Sequence, residues 1–323
     1  VHIWNGTNRQ SRRSITVKEL WVEKYRPKTL KEYVVRDEAQ RSQIQTWIND
    51  KAIPHLLLSG APGVGKTTLA KVLFAELDVS SYDILEINAS RENSVDTVRE
   101  KINSFVQIMP FGAYKYVLLD EADYMSPNGQ AALRGVMEMY HTSARFILTC
   151  NYPNRVIPAL HSRCQGFHIE KVDKTEFTAR IATVLVAENV ELDIETLDTY
   201  VRSTYPDLRK CLNLCQMNST DGKLTNVKGD EGNTSDWRVD AVNLFKAGKI
   251  VDARKLMCAT VRPEEMEDVF RWMYDNLELF ATTPEGQDSA IMAIRTGLVN
   301  HSFVADPEIN LSATMVELSQ ING

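Results

Sequence analysis

The chain has 323 residues, 43% of them hydrophobic and 25% charged, with a formal net charge of −6. This describes an ordinary globular protein too long for a single core, and the acidic balance argues against a nonspecific coat on nucleic acid while leaving room for a local basic patch. No apolar run approaches the ~20 residues that cross a bilayer, which excludes a membrane-spanning role.

In chain order, residues 1–14 are polar, lack the apolar centre of a signal peptide, and are expected to form a disordered tail. Residues 21–27 mix aromatic, charged and proline side chains and read as a binding segment rather than a strand, and residues 30–50 carry helical spacing. The apolar run at 55–58 predicts a buried strand entering Gly60 Ala61 Pro62 Gly63 Val64 Gly65 Lys66 Thr67, with a helix leaving over 67–77. This is the G-x-x-x-x-G-K-T pattern in its required context. Its glycines let backbone N–H groups turn towards phosphates, Lys66 reaches the β and γ phosphates, and the Thr67 hydroxyl ligates Mg²⁺.

A second strand is predicted over 83–88, then a polar loop over 89–94 and a helix over 95–107. The strand at 116–119 ends in Asp120 Glu121 Ala122 Asp123. Downstream of a phosphate loop, Asp120 is placed to hold the Mg²⁺ shell and Glu121 to polarise the attacking water; without that loop an acidic solvated turn would be the plainer reading. A helix over 127–140 leads to a strand over 144–150, which delivers Asn151 at its end. Strands alternating with helices predict an α/β, doubly wound parallel sheet over 15–171. Beyond it, three helical stripes predict a small helical domain over 172–220, a Gly-, Asn- and Ser-rich linker over 221–236, and an all-α bundle over 237–323. Five scattered cysteines suit a reducing cytoplasm, and Cys211 and Cys215, one helical turn apart, read as core.

Taken in order, several motifs resemble one family. They are Glu23 Lys24 Tyr25 Arg26 Pro27, the phosphate loop, Ile87 Asn88 Ala89 Ser90, Asp120 Glu121 Ala122 Asp123, Ala132 Leu133 Arg134, Met137 Glu138, Cys150 Asn151 and Ser162 Arg163 Cys164. Over residues 21–215 they resemble the small ATPase subunits of the AAA+ clamp loaders of DNA replication. The segment Tyr205 Pro206 Asp207 Leu208 Arg209 Lys210 looks like the phage form, which points to a viral loader acting in a host cytoplasm.

The resemblance implies an AAA+ domain, a lid and an oligomerising collar, and a DNA-dependent ATPase with ATP and Mg²⁺ as cofactors. Val22, Glu23, Lys24, Tyr25 and Val34 would line the adenine pocket, and Gly63, Val64, Gly65, Lys66, Thr67 and Thr68 would cradle the phosphates. Thr67 and Asp120 would hold the metal, and Arg209 would reach the nucleotide from the lid. Lys66, Glu121, Asn151 and Arg163 would form the catalytic set, with Arg163 a finger in a neighbour's site, its alternative being a surface salt bridge at a helix end. Asn88 would act as a switch on Glu121. Arg91, Arg99 and Lys101 would touch DNA, a solvated helix face being an equal reading. The implied partners are a sliding clamp, primer-template DNA, further copies of the chain and a second, noncatalytic subunit, with no membrane. Another AAA+ motor, such as a branch-migration helicase or a replication initiator, and a non-hydrolysing scaffold are the competing readings.

Overall fold

The structure is a computed structural model that describes residues 19–91, 95–169, 172–220, 222–225, 237–261, 265–301 and 303–321. The expected tail over 1–14 and most of the expected linker lie outside the described residues.

A short helix, α1 (Trp21–Lys24), precedes α2 (Glu38–Asn49). The helical spacing read from residue 30 is realised only from Glu38, because Asp37 is extended (φ −159°) and its side chain accepts the Gln40 N–H at the helix start. Leu30, Tyr33, Val34 and Val35 are instead buried as irregular chain.

Five strands follow with their crossover helices: β1 (Leu56–Gly60), α3 (Lys66–Glu76), β2 (Ile84–Asn88), α4 (Val95–Val106), β3 (Lys115–Asp120), α5 (Pro127–Met139), β4 (Ala144–Cys150), α6 (Pro158–His161) and β5 (Gln165–Ile169). All pairings are parallel, in the order β2-β3-β4-β1-β5. Their near-continuous apolar runs are explained by burial on both faces: every residue of β1 and β4 except Arg145 is buried. The register sets Ser59 beside Cys150 and Asn88 beside Asp120, so the carboxyl ends of β1, β3 and β4 open at one edge. Open α/β sheets bind ligands there.

Three helices follow, α7 (Lys174–Ala187), α8 (Ile194–Thr204) and α9 (Leu208–Met217), and Phe177 of α7 and Leu208 and Leu212 of α9 lie beside Gly63–Gly65 at this edge. Asp173, Asp193 and Asp207 start them, each accepting the N–H three residues on. Cys211 and Cys215 are fully buried in their shared core, as their spacing implied. A hairpin then pairs β6 (Ser219–Thr220) with β7 (Lys223–Leu224), and Leu224 is buried against the same core. Residues 223–224, read as linker, are therefore held by the helical unit.

The last five helices are α10 (Trp237–Lys246), α11 (Ile250–Thr260), α12 (Met266–Asp275), α13 (Pro284–His301) and α14 (Pro307–Ile321). They enclose a separate core around Phe270, Trp272 and Met273. The Trp272 indole N–H donates to the Arg202 carbonyl at 3.0 Å, and Lys246 pairs with Asp198 at 2.7 Å, which fixes the bundle to α8. Among the described residues no helix is long and apolar enough to cross a membrane.

Candidate nucleotide site

The phosphate loop turns between β1 and α3, where Gly63 and Gly65 take left-handed conformations (φ +74° and +96°). Only glycine adopts these freely. Gly65 is the N-cap of α3, so the helix N-terminus faces the loop. Lys66 is 8% exposed, and its ammonium donates to the carbonyls of Gly60 (2.9 Å) and Ala61 (2.7 Å) and to Asn151 Oδ1 (2.7 Å). Burial pushes its pKa down to about 8.

Beside it, the Thr67 hydroxyl donates to Asp120 Oδ1 at 2.7 Å, and the Thr149 hydroxyl donates to the same oxygen at 2.6 Å. Glu121 follows in a left-handed conformation (φ +58°), and its N–H donates to Thr149 Oγ1 at 3.0 Å. Asp123 Oδ2 accepts the N–H groups of Asn151 (3.1 Å) and Tyr152 (3.0 Å). Adjacent Lys66 and Thr67 are thus hydrogen-bonded to two residues far away in sequence, Asn151 and Asp120. The set is chemically suited to a polyphosphate with a hard divalent cation: Asp120 and the Thr67 hydroxyl supply oxygen ligands, and Lys66 supplies charge.

Next to the loop, a cleft of about 660 Å³, open to solvent, runs between the sheet unit and the lid helices. Of the nucleotide-site candidates, Val22, Tyr25, Val34, Gly63, Val64, Gly65, Thr68 and Arg209 line it. Glu23 and Lys24 do not. Glu23 pairs with Arg26 at 2.6 Å, and Lys24 pairs with Glu188 at 2.6 Å on another face. The cause is the helical turn of α1, which presents positions 22 and 25 to one side and 23 and 24 to others.

Further lining residues escaped sequence reading, chiefly Tyr33, Val172, Phe177, Pro206 and Leu212. Phe177, Leu208 and Leu212 belong to the helical stripes of the lid, and the same apolar residues also roof the cleft. Arg209 is exposed, and its charge acts on the carboxylates of Glu23 and Asp207. Its neighbour Asp207 presses on the loop, since a Cβ built at Gly63 would lie 1.8 Å from Asp207 Oδ1. Burial raises the Asp207 carboxyl above its usual range.

The remaining candidates lie elsewhere. Arg163, just beyond α6, donates to the Ala159 carbonyl at 2.8 Å and pairs with Glu138, which also lies 3.5 Å from Arg134. It sits before the first residue of β5, and the phosphate loop leaves the far end of β1. Asn88 makes no side-chain hydrogen bond to Glu121 among the described residues. Its Oδ1 accepts from Ser90 N (3.0 Å), Ser90 Oγ (2.6 Å) and Arg91 N (3.3 Å), closing its own turn. Arg91, Arg99 and Lys101 are exposed, and Arg99 borders a groove between α4 and α5. Residues 92–94 of that loop lie outside the described residues.

The family model of the ATPases associated with various cellular activities (AAA) matches residues 56–171. The replication factor C small subunit of Staphylothermus marinus is 34% identical over 96% of this chain and 97% of its own. That of Sulfolobus acidocaldarius is 33% identical over 93% of this chain and 95% of its own, and that of Archaeoglobus fulgidus is 37% identical over 78% and 73%. A solved RuvB variant from Thermotoga maritima superposes with a TM-score of 0.55 over 80% of this chain and 93% of that one; at 14% identity the likeness is of fold alone. These relatives belong to cellular organisms and lend no support to the phage leaning of residues 205–210. Near full-length identity of this order, together with a phosphate site assembled as the motifs require, makes the chain a member of the replication factor C small subunit family of AAA ATPases.

Proposed function

We propose that this chain is a catalytic subunit of a clamp loader that binds ATP with Mg²⁺ between its sheet and lid. Adenine occupies the apolar end of the cleft, the phosphates lie along Gly63–Thr68, and Arg209 draws the lid onto them. Glu121 orients water at the γ-phosphate and Asn151 senses that phosphate; Thr67 and Asp120 hold the metal, which supplies charge neutralisation at the phosphates when bound.

The observation that carries this reading is an asymmetry. One edge of the sheet gathers Lys66, Thr67, Asp120, Glu121 and Asn151, whereas Arg163 sits at the opposite edge, four strand steps away. At ~3.3 Å per residue that is about 13 Å along β1 alone. Arg163 therefore serves a neighbour's site, and the chain hydrolyses ATP only in a ring of copies, with a noncatalytic subunit completing it. We assign clamp contact to Tyr82, Ile108, Met109 and Phe111, which are 74%, 59%, 87% and 77% exposed beside the starts of β2 and β3. Contiguous exposed apolar side chains of this kind mark protein interfaces. Arg91, Arg99 and Lys101 are assigned to primer-template DNA.

The test is the steady-state ATPase rate of the chain alone and with its companion subunit, clamp and primed DNA. Arg163→Ala is expected to bind ATP normally and to lose stimulated hydrolysis by about 10³-fold or more. Loss of ATP binding as well would refute the trans role, and stimulation by branched or unprimed duplex DNA without any clamp would refute clamp loading.

A further inference from the structure

We infer that Thr149 is a positioning residue for hydrolysis, acting through Glu121 and Asp120. The inference rests on the proposal that Glu121 orients the attacking water. Thr149 is 1% exposed near the carboxyl end of a buried apolar strand, a place where valine would fill the same space without a polar atom. Both capacities of its hydroxyl are used at the site. Its proton goes to Asp120 Oδ1 (2.6 Å), and its lone pair receives the Glu121 N–H (3.0 Å).

The second bond bears on conformation. Glu121 is one of the few non-glycine residues at positive φ among the described residues, at +58°. A non-glycine residue is strained in that conformation and persists in it only where its surroundings fix it. The Thr149 hydroxyl satisfies the Glu121 N–H in that conformation and so fixes the direction in which the carboxylate leaves the chain. Because Thr67 and Thr149 share Oδ1, the same hydroxyl also fixes the rotation of the Asp120 carboxylate.

A reciprocal contact joins the two strands. Asp123, just beyond β3, holds the N–H groups of Asn151 and Tyr152, just beyond β4. The ends of β3 and β4 are thereby linked in both directions, and Thr149 lies two residues from Asn151. A displacement of Asn151 by a bound γ-phosphate is carried by one strand end to the carboxylate that orients water.

The experiment compares Thr149→Val, Thr149→Ala and Thr149→Ser with Glu121→Gln in the assembled loader with clamp and primed DNA. ATPase kinetics are read beside equilibrium binding of a fluorescent ATP analogue and the melting temperature of each isolated chain. Misplacing a reacting group by about 1 Å lowers turnover by roughly 10²-fold. Thr149→Val and Thr149→Ala are therefore expected to lose about 10- to 100-fold in kcat with analogue affinity unchanged, and Thr149→Ser to stay within about threefold of the parent. Equal loss in the serine variant, or undiminished kcat in both variants lacking the hydroxyl while Glu121→Gln is inactive, would overturn the inference. An active Glu121→Gln would instead refute the underlying role of Glu121. Should Thr149→Val fail to fold, the alanine and serine pair decides.

Discussion

Replacing Lys115 by methionine tests how the apolar surface at Tyr82, Ile108, Met109 and Phe111 is held. Lys115 and Asp83 are 2% and 1% exposed and lie 2.8 Å apart. Lys115 also donates to the Tyr82 carbonyl at 2.9 Å, and Asp83 also accepts from Phe111 N (3.1 Å) and Gly112 N (2.8 Å). Burial pushes the Asp83 carboxyl up, but the bonds from Lys115, Gly112 and Phe111 outweigh it and the net shift is downward. A carboxylate depressed in the folded state stabilises fully above its unfolded pKa, and that stability is lost as pH falls through the folded value.

At neutral pH, removing the cation leaves a buried charge without its partner, a loss of about 3–5 kcal/mol. Two backbone N–H bonds remain on Asp83, so about 3 kcal/mol is expected. At roughly 2–4 °C per kcal/mol for a unit of this size, the melting temperature falls by about 6–12 °C. Thermal unfolding of Lys115→Met is compared with that of Asp83→Asn/Lys115→Met, which carries no buried charge and is expected to melt higher than the single variant. Clamp capture at low temperature should weaken more than ATP affinity, because the Phe111 and Gly112 N–H groups have lost a fully anchored acceptor. Melting within about 2 °C of the parent would refute the reasoning, as would a double variant that melts below the single one.

Two further outcomes follow from the nucleotide site. With Lys66 pushed down to about 8, the folded chain binds fewer protons than the unfolded one between that value and 10.5, so stability without nucleotide rises with pH across the window. A bound polyphosphate favours the ammonium, so ATP binding takes up a proton above about pH 8 and its affinity falls as pH rises further; calorimetry at about pH 9 in two buffers of different ionisation heat that detects no proton uptake would sink this. Gly63→Ala combines a φ of +74° with a Cβ 1.8 Å from Asp207 Oδ1. About 1–3 kcal/mol of backbone strain plus displacement of the lid should lower ATP affinity about 10-fold or more, and adding Asp207→Ala should restore part of it. Unchanged affinity in the single variant would show that the lid does not seat on this glycine.

Much of the site was legible because its chemistry is local. The phosphate loop, Asp120 and Glu121 are short patterns whose spacing is fixed by a strand ending in a turn, and Asn151 was placed by counting to the end of its strand. Glu23 and Lys24 were misplaced because a motif does not state which face of a four-residue helix meets the cleft. The resemblance implied that Asn88 acts as a switch on Glu121, whereas its carboxamide oxygen here closes a turn two and three residues ahead. Tyr33 and Val172 carry no pattern at all; each reaches the cleft only through how the chain crosses beneath the lid.

Sequence alone indicated the first four strands of the sheet and the helices between them, since buried apolar runs and helical spacing act within a few residues. It also singled out Lys66, Thr67, Asp120 and Asn151 as candidate phosphate and metal groups, because that chemistry is restricted to a few residue types. Tertiary structure decided the rest. The order β2-β3-β4-β1-β5 brings Asn151 within 2.7 Å of Lys66 and sets Thr149 on Asp120. The same strand order leaves Arg163 at the other edge. Those relations depend on which strands lie side by side, and that is settled by packing between elements rather than by any residue's neighbours in the chain.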